Sequence, residues 1–119
     1  MAKINSYNFG FIVIDGKQYT SDVVISPDGT VKEREPSKGR VGSHHIGCSE
    51  IESINMGQPD AIVVGTGASG LATLSSEAEV YLHQVNSNLI ILPTPQAIQK
   101  FNKLAEEGKR VAALIHVTC

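Results

Sequence analysis

Hydrophobic and polar positions are distributed differently in the two halves of the chain. Up to Glu35 the apolar residues come in short runs cut by turn residues. Phe9-Gly-Phe-Ile-Val-Ile14 reads as a strand, and Asp15-Gly16 is a hairpin signal, because a type I′ turn needs positive φ at both central residues. Lys17–Thr20 is expected to return, Val23-Val-Ile25 to form a further short strand, and Pro27-Asp28-Gly29 to turn the chain into Thr30–Glu35. Residues 1–35 therefore read as a β meander. Residues 36–48, with three glycines and two histidines, read as a surface loop.

From Ser49 onward the pattern changes to alternating helix and strand. Ser49 is placed to cap a short helix with Ile51 and Ile54 on one face and Gly57 as its stop. Ala61–Val64 is a continuous apolar, β-branched run, the pattern of a strand covered on both faces. Ser76 and Glu79 stand as a capping box before Ala78, Tyr81, Leu82 and Val85, which repeat at helical spacing. Leu89–Leu92 is the next buried strand. Thr94-Pro95 predicts an N-cap with Pro at the first helical position, and Ala97, Ile98, Phe101, Leu104 and Ala105 form one apolar face. Gly108 fits the helix stop, and Val111–Val117 is the last strand. The sum is one α/β domain over residues 1–119, a β meander, a loop, then a helix and βαβαβ.

Length and composition are consistent with that. A chain of 119 residues can bury one hydrophobic core without disulfides or metal. A net charge of −2 does not suit a nucleic-acid binder, which needs clustered cations to displace counterions. The apolar runs are too short to span a bilayer, and the start lacks a signal-peptide pattern, so a cytoplasmic protein is expected. Cys48 and Cys119 suit that compartment as free thiols.

The candidate chemistry centres on Asp60–Gly70. Gly65-Thr66-Gly67-Ala-Ser-Gly70 has the letters of a dinucleotide loop. Such a loop opens directly into a helix, whereas five residues separate Gly70 from Ser76, and no acidic residue ends the next strand. No cofactor is expected, and the glycines read as a tight turn. An anion site is better placed at Thr94, Gln96 and Ala97, where free amides, a hydroxyl and the helix dipole converge, on one rim with Gly65, Thr66 and Gly67. Arg110 could reach an anion there bidentately if the last strand is antiparallel to Ala61–Val64. If that strand is parallel, His116 comes to the rim instead. His45 is a second candidate from the loop. His44, His45, Cys48, His116 and Cys119 have no spacing that assembles four ligands, so no metal is expected. Ser69 lacks the immediate helix of a nucleophile elbow, so no catalytic residue is assigned.

The segments Val63-Val-Gly-Thr-Gly67, Thr94–Leu104, Gly108–Ala112 and the ending His116-Val-Thr-Cys119 resemble the family of the adipogenesis-associated domain protein. An archaeal hypothetical protein is its structural prototype, and mitochondrial respiratory complex I assembly factors are distant relatives. The resemblance covers most of the chain and implies a three-layer α/β fold with a mixed central sheet. It implies no established reaction. Relatives often carry a Trp near the positions of Glu33–Glu35, and this chain has none. The expected function is a non-catalytic protein-interaction or assembly module with a protein partner. The alternative is a binding protein or enzyme for an anionic small molecule at the glycine rim. A homodimer through an exposed edge of the meander is a further expectation.

Overall fold

The computed structural model describes residues 2–34, 45–46, 48–55, 57–85 and 88–118. Most of the 36–48 loop, including His44, lies outside the described residues, as does Cys119. The strands are β1 (Ile4–Asn8), β2 (Phe11–Ile14), β3 (Lys17–Tyr19), β4 (Val23–Ile25), β5 (Val31–Glu33), β6 (His45–Ile46), β7 (Ala61–Gly65), β8 (Thr73–Leu74), β9 (Leu89–Leu92) and β10 (Val111–Ile115). The helices are α1 (Cys48–Asn55), α2 (Ser76–Val85) and α3 (Thr94–Glu106). None of them is long and apolar enough to cross a membrane.

Five strands form the central sheet in the order β5-β4-β10-β7-β9. β7, β9 and β10 are parallel, while β4 runs antiparallel to β10 and β5 antiparallel to β4. The sheet is therefore mixed, as expected. The expected meander divides. β1, β2 and β3 form a separate antiparallel sheet, but β4 and β5 leave it and extend the central one. Val23 and Ile25 of β4 are fully buried, and so short an apolar strand buries that surface only by joining a larger sheet. The first predicted strand is also split. Phe9-Gly10 is a turn, with Gly10 at φ 89°, between β1 and β2. Ile4–Asn8, with its polar majority, carries little apolar signal of its own.

The alternation of side chains across β7 and β10 divides the core into two. Ala61, Val63, Val111, Ala113 and Ile115 face Phe101, Ala97 and Leu104 of α3 and Ile4, Ile12 and Ile14 of the small sheet. Ile62, Val64, Ala112 and Leu114 face the opposite side, with Ile54 of α1, Ala78 of α2 and Ile46 of β6. These are the three layers. Both crossovers, β7-α2-β9 and β9-α3-β10, join parallel strands but progress in opposite directions across the sheet. Right-handed connections then put their helices on opposite faces, as observed.

Local signals set most boundaries. Asp15 (φ 51°) and Gly16 (φ 80°) make the hairpin turn between β2 and β3. The Pro27–Gly29 turn is closed by the Ser26 N–H to the Thr30 carbonyl at 2.8 Å. The α2 cap is Ser75 rather than Ser76, since Ser75 Oγ accepts from the Ala78 N–H at 3.1 Å. The intervening Thr73–Leu74 is spent on β8, which pairs with β6.

Phe101 is the largest fully buried side chain and sits at the centre of the α3-side core. Replacing it with Ala is expected to cost about 3–5 kcal/mol, the usual loss for a buried aromatic truncated to a cavity. Urea titration at constant m-value is the measurement; a loss below about 1 kcal/mol would contradict this packing.

Candidate functional site

The carboxyl ends of β7, β9 and β10 share one rim because the three strands are parallel. Gly65, Thr66, Gly67, Thr94 and His116 come together there. Arg110 does not. It precedes β10 and lies at the opposite end of the sheet, where its amide donates to Asp60 Oδ2 at 2.8 Å and its Nη2 to the Gly57 carbonyl at 3.0 Å. Of the two alternatives for the last strand, the parallel one holds, and it brings His116 to the rim.

The rim donors face inward. Thr94 does not cap its helix; that position is Pro93, without a side-chain cap bond. Its buried hydroxyl accepts from the Gly67 N–H at 2.8 Å and donates to the His116 carbonyl at 2.7 Å. The Thr94 N–H donates to the Gly67 carbonyl at 2.9 Å, and the Ala97 N–H closes the first helical turn on the Pro93 carbonyl at 2.9 Å. Pro95 has no N–H to offer, so of the first-turn amides only that of Gln96 is left for an anion. Thr66 is likewise engaged: both its N–H and its hydroxyl donate to the Leu92 carbonyl. The expected anion cradle is instead a stitch that ties β7, the start of α3 and the end of β10 together.

That stitch explains the glycines. A Cβ at Gly65 would stand 2.9 Å from Thr94 Oγ1 and 3.3 Å from Ile115 Cδ1, leaving it no room. Gly67 adopts φ 105°, which L side chains rarely adopt.

Below His116 lies a polar cluster absent from the expectations. His116 is fully buried, and its Nδ1 meets Asp22 Oδ2 at 2.8 Å. The same carboxylate accepts from the Val117 N–H at 2.9 Å and from Arg34 Nη1 at 2.9 Å. Arg34, at the end of β5, also grips Glu50 of α1 with two nitrogens, Nε to Oε2 and Nη2 to Oε1, the second at 2.8 Å. Glu50 therefore holds α1 against the β5 end of the sheet. Burial pushes the Asp22 carboxyl up, but the hydrogen bonds from His116 and Val117, then the charge of His116 and the hydrogen bond from Arg34, outweigh it and hold Asp22 below its usual value. Burial opposes the Arg34 charge, and its bonds to Glu50 and then Asp22 more than offset this and raise it. The Tyr7 phenol is raised, first by burial and then by the nearby Asp22 charge; its hydroxyl donates to the Val117 carbonyl at 3.0 Å.

An ionised Asp22 requires a proton on His116 Nδ1, which leaves Nε2 facing Thr118 Oγ1 at 3.2 Å. Hydroxyl, imidazole and carboxylate thus stand in the order of a nucleophile relay. A working relay also needs an open imidazole face and free donors for an oxyanion. His116 has no exposed surface. The neighbouring amides are taken: Ala68 N–H donates to the Thr118 carbonyl at 2.8 Å and Gly67 N–H to Thr94. In this geometry the group fastens the end of β10 to β4.

Among the described residues, no three His, Cys, Asp or Glu side chains are grouped to hold a metal. His45 lies on β6, paired with Thr73, but its side chain is outside the described residues, as is that of Cys48.

The fold is shared with known proteins. A family model described as a protein of unknown function, DUF498/DUF598, matches residues 4–116. The chain belongs to the DUF498/DUF598 family. A solved structure named MT938 is 30% identical, with TM-score 0.84 and full coverage of both chains. The conserved hypothetical protein PH1505 from Pyrococcus horikoshii OT3 is 35% identical, with TM-score 0.82, over 98% of this chain and 99% of that one. An outer membrane protein from Bartonella henselae has the same fold at 22% identity and TM-score 0.74, over 99% of this chain and 96% of that one. The DUF498/DUF598 match spans the rim and nearly all of the polar cluster, from Tyr7 and Asp22 to His116.

Asp22→Asn tests the cluster. It strips the charge that Arg34 and His116 face, and the expected loss is about 3 kcal/mol, the low end for a broken buried ion pair because Asn keeps the shape. Because Asp22 is depressed in the fold, its contribution is fully present above the unfolded aspartate value of about 3.9 and is lost as pH falls through the lower folded value. The wild-type protein should therefore lose stability more steeply than Asp22→Asn below about pH 4. Parallel acid limbs in denaturation profiles of the two proteins would remove Asp22 from that role.

Proposed function

We propose that the protein is a non-catalytic interaction or assembly module that engages its partner along the free edge of β9. The observation that carries this reading is a contrast among sheet edges. Exposed edges invite pairing, and proteins blunt them with charge, bulges or cover. β5 presents Lys32 and Glu33, both exposed. β3 presents Lys17, whose Nζ lies 5.1 Å from the centre of the Tyr19 ring. β1 has an irregularity between Ile4 and Ser6, and Asn102 of α3 covers both backbone groups of Ile4. Among the described residues, β9 has none of these devices. It reads Leu-Ile-Ile-Leu, and Ile91 is 40% exposed.

The family resemblance supports this reading, since respiratory complex I assembly factors are among the distant relatives it implies. The setting we propose is the cytosol, with a protein partner rather than nucleic acid, in keeping with the charge of −2.

Ile91→Lys places a charge on the edge at a side chain that is already 40% exposed. Its stability is expected within about 0.5 kcal/mol of wild type, as for ordinary surface changes. In capture from native lysate, the wild-type chain should recover a stoichiometric partner that Ile91→Lys recovers at least about tenfold less, the effect of a loss of about 1.4 kcal/mol. Equal recovery by both chains would place the interaction elsewhere.

A further inference from the structure

We infer that the occupant of the β9 edge is a second copy of this chain, paired antiparallel about a two-fold axis beside Ile90; the inference rests on the reading of β9 as an interaction edge. The backbone sets the register. Asn88 and Leu92 direct their carbonyls inward, to the Ile62 and Thr66 amides at 3.1 and 2.9 Å. In a strand, backbone groups alternate sides, so the N–H and C=O of Leu89 and Ile91 point outward. Two donors and two acceptors stand on that edge, and no described residue takes them.

A two-fold axis beside Ile90 sets Leu89 of each copy opposite Ile91 of the other. Each such pair exchanges both of its bonds, giving four in all. An axis at Ile91 does worse. It sets Leu89 opposite Pro93, which has no N–H and whose carbonyl already accepts from Ala97. Charge points to the same occupant. Across a two-fold axis an edge meets itself, so a charged edge confronts its own charges. The uncharged run Leu89–Leu92 meets only apolar side chains, with Ile90 beside Ile90 of the partner on the α3 face and Leu89 beside Ile91 on the α2 face. The product is a continuous ten-stranded sheet, twice the five strands of one copy.

A four-residue edge is small beside the roughly 800 Å² per partner of a standard interface, so the dimer should form with rising concentration. Light scattering on size-exclusion fractions, from about 10 µM to about 1 mM, should show the mass moving from one chain to two. Ile91→Pro deletes one outward N–H and should hold the chain as a monomer, Pro being tolerated where the N–H faces solvent. Ile91→Lys should do the same, and serves if the proline variant fails to fold. The register has its own readout. In a non-hydrogen-bonded antiparallel pair the Cα atoms lie about 4.5 Å apart, within disulfide range. Ile90→Cys, with Cys48 and Cys119 replaced by Ser, should therefore cross-link two chains under oxidised glutathione, and Ile91→Cys in the same background should cross-link far less.

A wild-type monomer throughout the concentration range, with no cross-link formed by the Ile90→Cys variant, overturns the dimer. If Ile91→Lys still abolishes capture of a different protein from lysate, the edge reading stands and only the occupant is wrong. If capture is unaffected as well, both fall.

Discussion

Asp22, its side chain only 10% exposed, is the charge on which the frame of this protein depends. It sits at the start of β4 and serves three partners at once: the His116 ring, the Val117 N–H and the Arg34 guanidinium. A carboxylate so largely withdrawn from water is tolerable only when its oxygens are satisfied and its charge is opposed. Those conditions fix where the antiparallel strand β4 meets the parallel strand β10. Through Arg34 and Glu50 the same carboxylate also sets where β5 and α1 stand. One side chain thus joins the antiparallel part of the sheet to the parallel part and to the helical layer.

The glycine rim works with that cluster from the other side of β10. His116 offers its ring to Asp22 and its backbone carbonyl to Thr94. Gly65 lets Thr94 approach, and Gly67 turns its N–H onto the threonine hydroxyl. Letters that match a phosphate-binding loop are accounted for by close backbone approach. Most of the polar groups at the carboxyl ends of the parallel strands, where ligands gather in many α/β proteins, are consumed in joining strands.

With the rim engaged internally, the surface stands out for what its edges carry. Charge, a bulge or a covering asparagine attends β5, β3 and β1, while β9 keeps two outward donors, two outward acceptors and an exposed isoleucine. The family is described only as one of unknown function, so the site must be argued from such physical contrasts rather than from shared fold.

Much of the architecture is local and was therefore readable. The apolar runs Ala61–Val64, Leu89–Leu92 and Val111–Ile115, the Asp15-Gly16 hairpin, the helical face around Phe101 and the stop at Gly108 each rest on periodicity or turn chemistry within a few residues. The division of the N-terminal strands between two sheets was not readable, because hydrophobic alternation says which face is buried and not which strand lies alongside. The polar cluster was hidden for the same reason. Asp22 and His116 stand 94 positions apart, and Arg34 and Glu50 16 apart, with no motif to link them. The role of Thr94 is not legible locally, because Thr-Pro is a true local signal for a helix start, and only the approach of Gly67 and the His116 carbonyl turns the hydroxyl inward. The sequence by itself determined most of the elements, those with a strong apolar period or turn signal, since these depend on neighbours along the chain; β1, β6 and β8, which carry little such signal, it did not. The direction of β10, the placing of His116 rather than Arg110 at the rim and the bare edge of β9 were decided only in the tertiary structure, since each depends on which strands pair across the fold.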